Sequence, residues 1–173
     1  MYITHYYPNN TPGLSRITQY SEEERNIIAK FLSCKNGSAL SRFRNFEFYY
    51  QRRLLTEKWL YYSAQKLGIE TSETSPWYFV LGENHLMNEG FGSDAKTLKL
   101  DLESIQFSDI TFTIGDSIAV YFSKQIQNNI YDKKSIIDLY TNNFSEIDKI
   151  YKHLHPKHQY IEVQLWTKKY FDL

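Results

Sequence analysis

The sequence predicts an α+β protein in which a helical N-terminal third packs on a mostly antiparallel β-sheet that includes both terminal strands. Helical periodicity with clear end signals dominates residues 21–68, whereas strand patterns dominate from residue 77 onward. A short aromatic and β-branched run also opens the chain at residues 2–7. Helices and strands are thus grouped along the chain, which favours an α+β arrangement.

The first third carries the signals of two helices. Ser21 and Glu24 have the spacing of a capping box, so we expect a helix from about Glu22 to Ser33. A longer helical signal runs over residues 41–67 and ends before Gly68, either as one helix or as a short helix leading into a long one. In the first helix, four large apolar side chains recur at helical spacing and are predicted to form a buried stripe: Ile27, Ile28, Phe31 and Leu32.

Two charged residues of the longer helix, Arg53 and Glu57, lie one turn apart. At this spacing the side chains can pair on the helix surface, a contact worth about 0.2 to 0.5 kcal/mol. We therefore interpret them as surface residues without a functional role.

Strand patterns dominate the rest of the chain. Residues 77–81 form a continuous apolar run between Pro76 and Gly82, which is typical of a central strand buried on both faces. Residues 98–102 and 110–114 alternate and are predicted to be half-buried strands. The intervening segments are predicted to be loops at 8–13, 83–95 and 125–134, a turn at 115–117, and short helices at about 135–140 and 144–153.

The last strand, residues 160–166, has one apolar face and one polar face. Three branched apolar residues share the first face, while the second carries Glu162 and Gln164 between Tyr160 and Trp166. A polar face of this kind is either a solvent-exposed surface or the floor of a pocket, and the sequence leaves both interpretations open.

Length and charge restrict the class of protein. A chain of 173 residues is long enough for one well-buried core, so we expect a single domain over residues 1–173. The 20 basic and 20 acidic residues cancel, which argues against nucleic acid as a partner. Cys34 is the only cysteine, and neither a signal peptide nor an apolar run of about 20 residues is present, so a cytoplasmic protein without membrane contact is expected.

No short catalytic motif stands out. A Gly-rich phosphate loop, a dinucleotide fingerprint and a nucleophile elbow are all missing from the sequence. The histidines at 153, 155 and 158 are interrupted by Pro156, and no metal is expected. All six arginines precede residue 54, and Arg16, in the loop after the first strand, is the one that we single out as an anion-binding candidate.

Polar side chains on separate strands therefore form the candidate site. His5 lies on the first strand, Tyr78 on the central strand, Asp116 at a turn and Glu162 on the last strand. If the first, central and last strands are neighbours, His5, Tyr78 and Glu162 converge on one cleft. A carboxylate there could stabilise positive charge at an anomeric carbon, and an aromatic ring could stack on a cationic one.

The order of these motifs resembles DarT-type DNA ADP-ribosyltransferases and related ADP-ribosyltransferase-like toxins. The resemblance implies NAD as the ligand, His5 and Glu162 as catalytic residues and Tyr78 as the ring that stacks on nicotinamide. We expect Arg16 and Asn84 to assist in binding anionic and amide groups. The chain departs from the pattern where a DarT-type protein has an arginine soon after the Tyr-Phe strand. The matching stretches are Ile3-Thr4-His5, Pro76-Trp77-Tyr78-Phe79 with Met87 downstream, and Phe112-Thr113-Ile114-Gly115-Asp116.

A second resemblance covers nearly the whole chain and carries no function with it. A set of small bacterial proteins is similar in the Thr-His-Tyr-Tyr-Pro opening and the Tyr-Ile-Glu-x-Gln-x-Trp ending. The alternative to an enzyme is an interaction protein, such as an immunity, antitoxin or phage accessory factor, whose 15 tyrosines supply contact area for a protein partner. A structural domain, or an enzyme for an unrelated sugar or nucleotide, is a third hypothesis.

Overall fold

The computed structural model describes residues 1–9, 11, 13–92, 95–127 and 129–171. Asn10, Pro12, Ser93, Asp94 and Asn128, which fall in predicted loops, lie outside the described residues. Within the described ranges the strands are β1 (Tyr2–Tyr7), β2 (Trp77–Leu81), β3 (Lys96–Asp101), β4 (Ile110–Ile114) and β5 (Ile161–Leu165). The α-helices of the same ranges are α1 (Glu22–Ser33), α2 (Phe46–Lys66), α3 (His85–Gly90), α4 (Ser117–Phe122), α5 (Lys133–Asn142) and α6 (Phe144–Tyr151).

The strands form one sheet in the order β3-β1-β2-β5-β4, and each neighbouring pair is antiparallel. This confirms the predicted α+β class, with helices in the N-terminal part and strands near both termini in the sheet. It also makes β1, β2 and β5 neighbours. The pairing of β1 with β2 covers only Ile3 with Leu81 and Thr4 with Val80, so the two strands separate after Thr4.

The two faces of the sheet differ in polarity because side chains alternate along each strand. On one face, Phe79, Phe112 and Val163 pack with Ile136 of α5 and Ile147 of α6 in the main hydrophobic core. The other face is polar and lies under α2, whose Leu60 and Ala64 pack with Trp166. Its central residues are Thr111, Thr113, Tyr78, Glu162 and Gln164, all buried except the half-buried Tyr78.

The predicted helix ends are present. Ser21 Oγ accepts a hydrogen bond from the Glu24 amide, and the Glu24 side chain accepts one from the Ser21 amide, which completes the capping box of α1. A short 3-10 helix, Ser41–Asn45, leads into α2, so the second of the two predicted arrangements is the correct one. Gly68 follows α2 with a positive φ of 81°.

Three predictions of local structure were wrong. A short helix, α3, occupies part of the segment that was predicted to be a loop at 83–95, whereas the turn predicted at 115–117 is present at Gly115 and Asp116 and leads into α4. β4 is buried at all five residues rather than on one face, because helices cover both sides of the sheet there. The stripe on α1 is only partly core: Leu32 is buried as predicted, whereas Ile27 is 63% exposed and Phe31 is 41% exposed because they border an open cavity. Among the described residues, no helix is both long and apolar enough to cross a membrane.

Candidate functional site

A cavity of about 390 Å³ lies between the polar face of the sheet and helices α1 and α2. Cavities of this size are typical of small-molecule sites. The wall from α1 is apolar and includes Ile28 and Phe31, whereas α2 contributes Arg53 and Glu57. The charged and hydroxyl groups from other elements include Arg42, Tyr78, Asp116, Tyr160 and Glu162. The cavity thus combines apolar and aromatic walls with a small set of ionisable groups.

Glu162 lies in the middle of the sheet, opposite Val80 of β2 and Thr113 of β4. It is 4% exposed, so the polar face of the last strand is the floor of a pocket rather than a solvent-exposed surface. Its Oε1 accepts hydrogen bonds from the Ser117 amide at 3.3 Å and from Gln164 Nε2 at 3.2 Å. No hydrogen bond to Oε2 is present within the described residues, so this oxygen can interact with a ligand.

Gln164 orients Glu162 through a chain of hydrogen bonds across the sheet. Trp166 Nε1 donates to Thr111 Oγ1 at 2.9 Å, and Thr111 Oγ1 donates to Gln164 Oε1 at 3.1 Å. The Gln164 amide then donates to both Thr113 Oγ1 and Glu162 Oε1. Because each link has one donor and one acceptor, the amide orientation is determined and the Glu162 carboxyl is held in place.

Asp116 is the second carboxyl group of the cavity and is 3% exposed. It follows the turn at Gly115, where φ is 112° and an added Cβ would lie 2.3 Å from Leu154 Cδ1, so the turn requires glycine. Asp116 Oδ1 accepts from the Ala119 amide at 3.1 Å and caps α4, while Oδ2 accepts from the Tyr160 hydroxyl at 3.0 Å. The predicted turn residue therefore belongs to the site.

The two carboxyl groups have pKa values shifted in opposite directions. Burial and then the nearby Asp116 charge raise the pKa of Glu162 from 4.5 to about 7. Burial alone would raise the pKa of Asp116 as well, but the Arg42, Arg53 and His158 charges outweigh it and lower that pKa. A pair of this kind gives one group that exchanges protons near neutral pH and one that stays ionised.

Arg53 is the buried cation of the cavity, with 4% of its surface exposed. Its guanidinium carbon lies 4.4 Å from the centre of the Tyr78 ring, and its Nη1 donates to Ser117 Oγ at 3.3 Å. Among the described residues, no carboxylate oxygen lies within 4.0 Å of its nitrogen atoms. A buried guanidinium without a close carboxylate is suited to binding an anionic ligand group.

The interpretation of Arg53 and Glu57 as a surface pair was wrong. Glu57 is only 5% exposed, and it accepts a hydrogen bond from the Tyr78 hydroxyl at 3.1 Å. Burial raises the pKa of Glu57, and the Arg53 charge opposes this shift. The one sequence signal for Arg53 is the restriction of arginine to the first 53 residues, and that signal led us to choose Arg16 instead.

His5 borders the same cavity, but its ring lies on the opposite face of the sheet from Tyr78 and Glu162. The ring lies where β1 and β2 separate: Nδ1 donates to the Tyr78 carbonyl oxygen at 2.7 Å, and Nε2 accepts from the Leu14 amide at 3.3 Å. Burial lowers the pKa of His5, in agreement with a neutral ring. Since both nitrogens bind backbone groups, the contacts give His5 a structural role in joining β1, β2 and the following loop.

The two predicted assisting residues have other contacts. Arg16 borders the cavity, but its Nη1 lies 2.6 Å from Glu73 Oε2 and its guanidinium lies over the Trp77 ring at 3.8 Å. Asn84 is absent from the lining of the cavity, and its side chain accepts from the Met87 amide at the start of α3. The structure therefore brings together Tyr78 and Glu162, adds Arg53, Glu57 and Asp116, and ties Arg16 and Asn84 to neighbouring protein groups.

The other acidic and histidine candidates lie apart from the cavity. Glu83 pairs with Lys99 at the surface, whereas Asp116 and Glu162 both line the cavity. His153 and His155 are exposed. Within the part of the chain that the structure describes, no three His, Cys, Asp or Glu residues are grouped as metal ligands.

Comparison of the chain with protein-family models, with curated proteins and with solved structures found no match. The functional assignment therefore rests on the geometry of the cavity. That geometry offers a proton-exchanging carboxyl, an ionised carboxylate, a guanidinium for an anion and aromatic walls for a planar group.

Proposed function

We propose that the cavity is the active site of an ADP-ribosyltransferase-like enzyme that uses NAD, with Glu162 as the catalytic carboxyl. The observation that carries the proposal is the position of Glu162: its carboxyl is buried in a ligand-sized cavity, its pKa is raised to about 7, and Arg53 lies nearby. Strongly shifted carboxyl groups in clefts are typical of catalytic sites.

NAD supplies a ribose C1′ joined to a cationic nicotinamide, which leaves as a neutral molecule. In its ionised form, Glu162 stabilises the positive charge that develops at C1′ when this bond breaks. The same carboxylate accepts the proton of the acceptor hydroxyl as the new bond to C1′ forms, and it later releases that proton to solvent. Asp116 stays ionised beside it, so the proton is taken up by the carboxyl with the higher pKa.

Arg53 replaces His5 in the role of the group that binds the anionic part of the ligand. The ring nitrogens of His5 are occupied by backbone groups, whereas Arg53 has no carboxylate oxygen within 4.0 Å in the described part of the chain. Arg53 also covers the Tyr78 ring, so Tyr78 supports Arg53 and Glu57 instead of stacking on nicotinamide. Aromatic side chains elsewhere in the walls, such as Phe31 and Tyr49, offer ring surface to the ligand.

Calorimetry with NAD tests this proposal. We expect saturable binding to the wild type, a loss of affinity of about tenfold or more in Arg53→Gln, and unchanged affinity in the control Arg44→Gln. Arg44 is exposed and lines neither described cavity, so it controls for the loss of one positive charge. Absence of NAD binding to the folded wild type, or equal losses in the two variants, overturns the proposal.

A non-enzymatic interaction protein is the second candidate, and the exposed apolar residues at the cavity mouth favour it. Ile27 and Phe31 lie on one face of α1, and a protein partner could bury both. This candidate predicts a stoichiometric complex that Ile27→Asp disrupts and Glu162→Gln leaves intact. The enzyme proposal predicts the reverse: Glu162→Gln should reduce activity more than Ile27→Asp does.

A further inference from the structure

A second cavity, of about 380 Å³, lies beside the first. Five residues line both cavities and form the boundary between them: Arg42, Tyr49, Met87, Asp116 and Tyr160. The second cavity lacks the apolar wall of α1. Its lining comes from the segment before α2, from α2, α3 and α4, and from the loop that contains Lys157.

Positive charge is concentrated in this second cavity although the whole chain has no net charge. Arg42, Arg52 and Lys157 line it, and in the described part of the chain none of the three has a carboxylate oxygen within 4.0 Å. Asp116 is the acidic residue of the lining, and its oxygens already accept hydrogen bonds from Ala119 and Tyr160. The cavity therefore has three cations and one carboxylate that is already engaged.

The two arginines are held in position by neutral groups. Arg42 Nε donates to the Ala39 carbonyl oxygen at 2.6 Å, which directs the rest of its guanidinium away from that backbone. The guanidinium carbon of Arg52 lies 3.9 Å from the centre of the Phe122 ring. In this position no carboxylate of the described residues accepts from the in-plane N–H groups of Arg52. A planar guanidinium held by its face or by one edge can still donate two parallel hydrogen bonds to a phosphate.

We infer that the second cavity binds the phosphate group of a small phosphate ester, held by Arg42, Arg52 and Lys157. Phosphate fits this lining better than a carboxylate does, because a phosphate monoester carries close to two negative charges and three acceptor oxygens. Ser38 of the lining adds a hydroxyl group that can donate to the same oxygens. The assignment of this ester as the acceptor substrate rests on the proposed function, whereas the binding of phosphate does not.

The position of the cavity gives the ester access to the reacting groups. Asp116 and Arg42 border both cavities, so a phosphate ester in the second one lies next to the side of the first that contains Glu162. An acceptor hydroxyl on this ester would enter the first cavity between these two side chains. The second cavity thus selects acceptors by charge, while the first supplies the catalytic carboxyl.

Calorimetry with ribose 5-phosphate in phosphate-free buffer tests the inference, with ribose as the uncharged control. We expect saturable binding of the ester, and a loss of affinity of about fivefold to tenfold in Arg52→Gln and in Lys157→Gln. Lys157 is exposed, so its substitution leaves the fold intact even if Arg52→Gln affects folding. Arg44→Gln, which also removes one positive charge, is expected to bind as the wild type does.

Several outcomes separate this inference from its rivals. Equal affinities for ribose 5-phosphate and ribose, or an equal loss in Arg44→Gln and Lys157→Gln, overturn it. Inorganic phosphate in a parallel titration distinguishes the source of the phosphate: tighter binding of the ester supports an ester site, and equal binding supports a site for the free ion. Arg53→Gln is expected to bind ribose 5-phosphate as the wild type does, because Arg53 does not line the second cavity. If the protein binds ribose 5-phosphate but not NAD, the proposed function is overturned and this inference stands.

Discussion

Asp116 caps the helix whose first backbone N–H donates to Glu162. Asp116 Oδ1 accepts from the Ala119 amide, and the amide of the intervening Ser117 donates to Glu162 Oε1 at 3.3 Å. One short helix therefore determines the separation of the two carboxyl groups. Burial and then the nearby Asp116 charge raise the pKa of Glu162, while arginines keep Asp116 ionised.

Glu162→Gln is expected to increase stability at alkaline pH. The pKa of Glu162 is raised from 4.5 to about 7, so the folded protein holds a proton that the unfolded chain has lost between these pH values. The stabilisation from this group is complete below pH 4.5 and is lost as the pH rises through 7. The shift in pKa corresponds to a loss of about 3 kcal/mol in the free energy of unfolding. Glu162→Gln should avoid that loss, because its side chain does not ionise.

Urea unfolding at pH 5 and pH 8 measures this effect. The difference in unfolding free energy between variant and wild type should grow toward pH 8, whereas the exposed Glu70→Gln control should show no such growth. A difference that is constant across this range contradicts the raised pKa of Glu162.

His5→Ala is expected to destabilise the fold by about 2 kcal/mol or more at pH 7.5. The change leaves the Tyr78 carbonyl and the Leu14 amide without their hydrogen bonds to the ring, and unpaired buried groups are costly. Urea unfolding checks the magnitude, with the exposed His153→Ala as the control. Equal stability of the two variants would rule out a structural role for His5.

The pH dependence of His5 has the opposite sign to that of Glu162. Burial lowers the pKa of His5, so the unfolded chain takes up a proton at a higher pH than the folded protein does. Its contribution to stability is present above the ordinary value of 6.5 and is lost as the pH falls below it. The stability deficit of His5→Ala should therefore become smaller at pH 5.5 than at pH 7.5.

The strands and the sharing of faces could be predicted from the sequence, because a two-residue period identifies which side chains point the same way. The alternation at residues 160–166 correctly placed Glu162 and Gln164 on one face. The alternation could not show that this face is buried, because the helix that buries it, α2, lies more than 90 residues earlier in the chain. Contacts that distant in sequence leave no local pattern.

The charged residues of α2 illustrate the same limit. Spacings of three and four residues are the same for a pair on the surface and for a pair inside a cavity, so Arg53 and Glu57 gave no sign of their burial. The prediction of a buried stripe on α1 was wrong at Ile27 and Phe31 for a related reason: periodicity identifies a face but not whether that face meets a packed core or an open cavity. Asp116, in contrast, was selected because it follows a strand and a glycine turn.

The catalytic role of Glu162 can be measured by the release of nicotinamide from NAD between pH 5 and pH 9 with an acceptor present. We expect a rate that falls as the pH drops below about 7, where Glu162 becomes protonated, and a loss of about 100-fold or more in Glu162→Gln. No nicotinamide release by the folded wild type, or an unchanged rate in Glu162→Gln, would contradict the assignment of Glu162 as the catalytic carboxyl.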